Sequence, residues 1–362
     1  MRSALTLLLL AAMILAAPPQ VVGRSRLGPN ELGVIVNDAD PLSIEIARYY
    51  QAKRGIPEEN IIHVRFPTGN TVMSRGEFEA VKVRVDQQTP TQVQAFALTW
   101  THPYRVDCMS ITTAFAVGFA KGYCAEGCVP TKTVPYFNSD SWAPYRHYGL
   151  RPTMSLAGKN AEETKKLIDR GVVSDGSQPT GSGYLVETSD KERSVRSVIF
   201  DAIVYQFGNR VKLNHIRADF IENKPDVLFY FTGLVDVPKL SSNTFIPGAI
   251  ADHLTSTGGQ LTDSGQMSSL RWLEAGATGS YGTVVEPCNF PGKFPNPGIV
   301  IRRYLNGETL IEAYWKSVEM PGQGIFIGEP LANPYASRQP LLDDWDILGD
   351  GDNVYFQSGE NE

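Results

Sequence analysis

The chain has 362 residues, 42% of them hydrophobic, and a formal net charge of −6. This is enough apolar material for one large α/β core, and outside the two ends the composition gives no sign of disorder. No basic run exists to meet a phosphate backbone, which excludes nucleic acid as a partner.

In chain order, Arg2 precedes an apolar stretch at 4–17. That stretch is too short for a spanning helix and the right length for the core of a secretory signal. Residues 1–23 read as a signal peptide cleaved after Ala17 or after Gly23, with a retained anchor as the alternative. No later segment is apolar for long enough to cross a bilayer. The mature product is expected in the periplasm or outside the cell, with no stable membrane span after signal cleavage.

Residues 33–36 read as a buried strand, and Asn37-Asp38 as turn and cap before a helix at 41–53 that ends at Gly55. A strand at 61–66, a helix at 76–85 and a strand at 93–100 follow. This β-α-β-α-β order implies a parallel sheet under covering helices. Between 101 and 180 the pattern gives way to Pro, Gly, Ser and aromatics, with Tyr123, Tyr136, Phe137, Trp142, Tyr145 and Tyr148 crowded together. The stretch reads as a Cys- and aromatic-rich insertion over the sheet edge, holding a short charged helix at 162–170.

The sheet resumes at 184–187, and 192–207 reads as another covering helix. Strands are expected at 226–231 and 276–285, and helices at 247–254, 268–275, 299–305 and 310–315. A short strand and turn at 324–330 closes the domain. Residues 24–342 are taken as a single α/β domain and 343–362 as an acidic flexible tail. Asp346, Asp350 and Asp352 in that tail lack the spacing and terminal glutamate of a calcium loop. No metal site and no cofactor is expected.

The four cysteines, Cys108, Cys124, Cys128 and Cys288, can pair completely in an oxidising compartment. Cys124 and Cys128 are close enough in sequence for a small loop bridge, with Cys108 and Cys288 either paired or free, and spacing alone does not fix the connectivity. Ligands bind outside the carboxyl ends of parallel strands, so Cys288 and Gly233, just past two apolar runs, and the loop after 93–100 are expected to share one cleft.

Several stretches resemble a family of exported bacterial proteins, without an assigned activity, from species that carry the exosortase protein-sorting system. They are Leu98-Thr99-Trp100-Thr101-His102-Pro103-Tyr104-Arg105-Val106, Pro135-Tyr136-Phe137-Asn138-Ser139, Arg151-Pro152-Thr153-Met154, His253-Leu254-Thr255-Ser256-Thr257-Gly258-Gly259, Gly282-Thr283-Val284-Val285-Glu286-Pro287-Cys288 and Gly328-Glu329-Pro330-Leu331. A weaker similarity reaches gingipain-type cysteine peptidases, through the Gly328-Glu329-Pro330 turn. That similarity implies a doubly wound, mainly parallel, caspase-like sheet. The family's His-Gly position holds Phe231-Thr232-Gly233 and its cysteine position holds Thr255-Ser256-Thr257, so its catalytic pair does not carry over.

Two chemistries compete for the expected cleft. A thiolate at Cys288, with His253 as base and Glu286 as orienting carboxylate, would make a cysteine peptidase or transpeptidase. Cys108 with His102 is a second such pair. The preferred reading is an exported accessory protein of envelope protein sorting or surface-polymer export that binds a peptide or an envelope protein partner, with surface polysaccharide as a further candidate. In that reading His102, Arg105, Cys108, Asn138, Arg151 and Gly233 contribute to binding, Arg105 through a bidentate grip on a carboxylate.

Overall fold

A computed structural model describes residues 27–125 and 127–336. The expected signal peptide at 1–23 and acidic tail at 343–362 lie outside the described residues. Thirteen strands are present among them: β1 (Leu32–Asn37), β2 (Ile61–Val64), β3 (Val72–Met73), β4 (Ala95–Leu98), β5 (Arg105–Val106), β6 (Met109–Ser110), β7 (Thr153–Ser155), β8 (Ser182–Glu187), β9 (Lys212–Arg217), β10 (Val227–Gly233), β11 (Phe245–Leu254), β12 (Gly279–Thr283) and β13 (Gly324–Gly328). The helices are α1 (Pro41–Arg54), α2 (Arg75–Gln88), α3 (Ile111–Val117), α4 (Pro144–Tyr148), α5 (Ala161–Ser174), α6 (Phe200–Phe207), α7 (Leu270–Ala275), α8 (Pro297–Leu305) and α9 (Leu310–Trp315).

Ten of the strands form one sheet in the order β2-β1-β4-β7-β13-β12-β11-β10-β8-β9, and β3, β5 and β6 form a small second sheet. Every neighbouring pair in the large sheet is parallel except β12 and β13. The fold is therefore α/β with a mainly parallel sheet. Alternation along the strands buries both faces. On β10, Tyr230 meets Trp272 of α7 edge-on, whereas its neighbour Phe229 turns to Tyr304 of α8.

The antiparallel pair follows from its connection. A single crossover helix would return the chain to the opposite edge and make the next strand parallel. Here two helices, α8 and α9, pack against each other, and the Asn296 N–H ahead of α8 donates to the Ser317 carbonyl just past α9. The chain thus comes back to the edge it left, and Thr283 pairs with Gly324.

Local signals explain most boundaries. Asp40 accepts a hydrogen bond from the Leu42 N–H, Pro41 presets the first turn of α1, and Gly55 closes the helix at φ 64°. The expected helix at 247–254 is corrected to strand β11. Its run from Gly248 to Leu254 is buried throughout, so no period separates a helical face from a strand, and Gly248 takes φ 91°. Two strands of the large sheet, and all three of the small one, had no sequence expectation. The three-residue β7 lies between β4 and β13 in the sheet interior, and β9 forms an edge. The segment read as an insertion over the sheet edge therefore supplies β7, and its helix α3 packs on β4, β7 and β13.

One buried ionic cluster ties the two ends of the domain. Glu329, fully buried after β13, accepts from Arg54 Nε at 3.0 Å, from the Tyr50 hydroxyl at 2.6 Å and from Arg54 Nη2, while Arg54 Nη1 pairs with Asp175. Breaking such a pair from one side leaves an uncompensated charge in the core, at a cost of about 3–5 kcal/mol. Arg54→Leu is therefore expected to lower the unfolding free energy by about that amount in denaturant titration. A loss below about 1 kcal/mol, the range of an exposed pair, would contradict this role.

Candidate functional site

The reversal at β12 and β13 splits the carboxyl ends of the strands between two edges. Strands β8 to β12 end on one edge, and β1, β2, β4, β7 and β13 end on the other. The single cleft expected for His102, Gly233 and Cys288 is corrected on this ground, because β4 and β12 run in opposite directions.

At the edge where β10 to β12 end lies an open groove of about 260 Å³. The strand ends beside it are tied by Arg196, which does not line the groove and is buried together with its partner Asp252. Arg196 Nη1 donates to Asp252 Oδ1 of β11 at 2.7 Å and to the Pro295 carbonyl at 3.1 Å, while Nη2 donates to the Thr232 carbonyl of β10 at 2.6 Å. One guanidinium thus holds together two strand ends and the segment following β12. Burial pushes the Asp252 carboxyl above its ordinary range, and Arg196 opposes that shift.

Gly233 shapes the wall from behind. A Cβ there would stand 1.8 Å from the Arg193 carbonyl, so only glycine lets that main chain cross the strand end. The Thr188 hydroxyl fixes the same crossing by donating to the Gly233 carbonyl at 2.6 Å. Arg193 enters the groove with its charge already matched, since Nη1 donates to Asp190 at 2.8 Å and Nε to the Thr255 hydroxyl at 3.3 Å. Thr255 and Ser256, past β11, form the opposite wall.

Two carboxylates remain. Glu286 Oε1 accepts from the Cys288 N–H at 2.7 Å, and Glu192 Oε2 accepts from Asn289 Nδ2 at 2.9 Å. The second oxygen of each has no protein partner among the described residues. The lining thus carries two carboxylates against one arginine that is already paired with Asp190, while the buried Lys293 balances part of the Glu286 charge.

No protein-family model matches the chain, and the search of curated proteins found no match. Among solved structures the chain is similar to the complex of Porphyromonas gingivalis RgpB pro- and mature domains, at 8% identity and a TM-score of 0.49, covering 84% of this chain and 79% of that one.

The residues read as catalytic are not brought together as a nucleophile and base. Cys288 is bonded to Cys128 and Cys108 to Cys124, so none of the four sulfurs is a thiolate in this structure, and the Cys124–Cys128 bridge that the spacing allowed is not formed. Bridged sulfur cannot attack a carbonyl. His253, on β11, points to the opposite sheet face from its neighbour Asp252 and does not line the groove. Its Nδ1 accepts from the Trp272 indole at 2.9 Å and its Nε2 donates to the Met267 carbonyl at 3.1 Å. Both ring nitrogens are occupied, and burial pushes its pKa down to about 3. Of the expected trio, only Glu286 and Cys288 line the groove.

Most of the residues read as binding act in packing. Asn138 Oδ1 accepts from Arg302 and Arg303, and its carbonyl accepts from Arg303 at 2.5 Å. Arg151 is buried, and its Nε donates to the Val93 carbonyl at 3.0 Å. Cys108 anchors the β5–β6 turn to Cys124. His102 Nδ1 and Arg105 Nε are buried without a protein partner among the described residues, and neither residue lines the groove.

Sequence reasoning missed Arg196, Glu192 and Arg193, which sat inside a presumed covering helix at 192–207. In the structure 195–199 is a 3-10 turn and α6 starts only at Phe200. Arg196 stands among Ser194, Val195, Ser197 and Val198, a mixed run in which nothing local marked it as buried.

The depressed His253 pKa has a testable sign. The unfolded chain binds a proton near pH 6.5 and the folded chain does not, so this group stabilises the fold above about pH 6.5 and that contribution is lost as pH falls toward about 3. Its share of the slope of unfolding free energy approaches about 1.4 kcal/mol per pH unit within that window. His253→Asn, whose amide oxygen can accept from Trp272, is expected to remove that share in denaturant titrations between pH 4 and 6, within the roughly 3-to-6.5 window of the linkage. An unchanged slope would show that His253 titrates in the folded protein.

Proposed function

We propose that the protein is an exported accessory factor of envelope protein sorting or surface-polymer export, and that it binds a peptide segment of its partner in the groove at the ends of β10 to β12. A basic side chain of that segment enters between Glu192 and Glu286. The free oxygen on each of these carboxylates carries the reading, because the one groove arginine is already matched by Asp190. The signal-like apolar stretch at 4–17 supports export, and two disulfides fit an oxidising compartment. The sorting role rests on the resemblance of the motif stretches.

Binding makes no demand on sulfur reactivity, whereas a peptidase using Cys288 or Cys108 needs a free thiol. No observation in the groove favours the second chemistry. The test is fluorescence anisotropy with labelled hexapeptides carrying a central Arg, Gln or Glu. The Arg peptide is expected to bind, and Glu286→Gln or Glu192→Gln is expected to weaken it by roughly fivefold each, the worth of one partly exposed charge pair of about 1 kcal/mol. Equal affinity for all three peptides would contradict the reading. Cleavage of a peptide, lost in Cys288→Ser, would replace it with the peptidase.

A further inference from the structure

A second feature lies apart from the groove, on and beside α4. Trp142, Tyr145 and Tyr148 are 37%, 37% and 39% exposed within one seven-residue stretch, and the His147 ring lies edge-on to both Trp142 and Tyr148, with centres 6.2 and 6.1 Å apart. Single exposed aromatics are ordinary, but a clustered group marks a contact surface.

The cluster is held rigidly. Gln94 Oε1 accepts from the Tyr145 and Arg146 N–H groups at 3.2 Å each, which fixes the start of the helix. The Tyr148 hydroxyl is 2.8 Å from the Ser139 hydroxyl, and His147 Nδ1 is 2.8 Å from the Ser141 hydroxyl. The Arg151 guanidinium lies 3.3 Å from the centre of the Tyr145 ring, so one face of that ring is backed by protein. Polar groups remain open beside the rings. The Trp142 indole N–H has no partner among the described residues, and Arg146, 5.8 Å from the Trp142 ring centre, has no carboxylate partner among them.

We propose that this face binds a carboxylate-bearing polysaccharide, with sugar rings stacked on Trp142 and Tyr145 and a uronate carboxylate held by Arg146. A pyranose presents an apolar face of C–H bonds whose slight positive charge meets the negative face of an aromatic ring. Its edge presents hydroxyl and carboxylate oxygens, which match an indole donor and a guanidinium fork. The net charge of −6 means that the surface as a whole repels a polyanion, so retention on one must come from a local site such as this.

Electrophoresis of the native protein through gels containing dissolved alginate, a polyuronate, or neutral dextran tests the proposal. The protein is expected to be retarded by alginate, and Trp142→Ala, Tyr145→Ala and Arg146→Gln each to weaken that association about tenfold, as the loss of one stacked ring or one charge-assisted contact would. These side chains are exposed, and unchanged circular dichroism checks that the variants fold. Mobility unaffected by alginate, equal retardation of Trp142→Ala, or retardation by dextran alone would overturn the proposal. So would a concentration-dependent dimer that Trp142→Ala abolishes, since the face would then serve a second copy of the chain.

Discussion

The antiparallel pairing of β12 with β13 decides where chemistry can occur on this molecule. A uniformly parallel sheet collects all its carboxyl ends on one edge and all its loops around one cleft. Reversal at the middle of the sheet gives each half its own edge, with β13 joined to β7 on one side and β12 to β11 on the other. The two packed helices in the connection enforce it, and the loop carrying His102 is separated from the strand end carrying Cys288 as a result.

Within the second half, the groove is organised by one buried cation and one covalent bond. Arg196 draws Thr232, Asp252 and Pro295 together, and a guanidinium suits this task because its fork meets several acceptors without losing charge. The Cys128–Cys288 bridge then fixes the outer wall. It spans 160 residues of sequence against 16 for Cys108–Cys124. In the chain-entropy model the longer loop is worth about 2 kcal/mol more. The groove is thus bounded by a disulfide and lined by carboxylates, with no free thiol among the described residues.

The sequence made the α/β class legible because strands such as β1 and β10 are short apolar runs with turn residues at both ends, and α1 carries its cap, its first-turn proline and its terminal glycine. It concealed β7, whose three residues are too few to show a period, and β11, whose burial on both faces erased the alternation that marks a strand. Glu286, Cys288 and Gly233 were correctly placed near strand ends, since that inference needs only local order. Disulfide partners, the inward orientation of His253 and the role of Arg196 depend on contacts between residues far apart in the chain, for which spacing carries no information.

The groove wall is stitched from Cys128 to the segment after β12. Digestion of the unreduced protein with blocked thiols, followed by mass spectrometry of the linked peptides, reads that stitching directly. Peptides joined through Cys128 and Cys288, and separately through Cys108 and Cys124, are the predicted result. A Cys124–Cys128 link with an alkylated Cys288 would contradict the account and restore a free thiol to the groove.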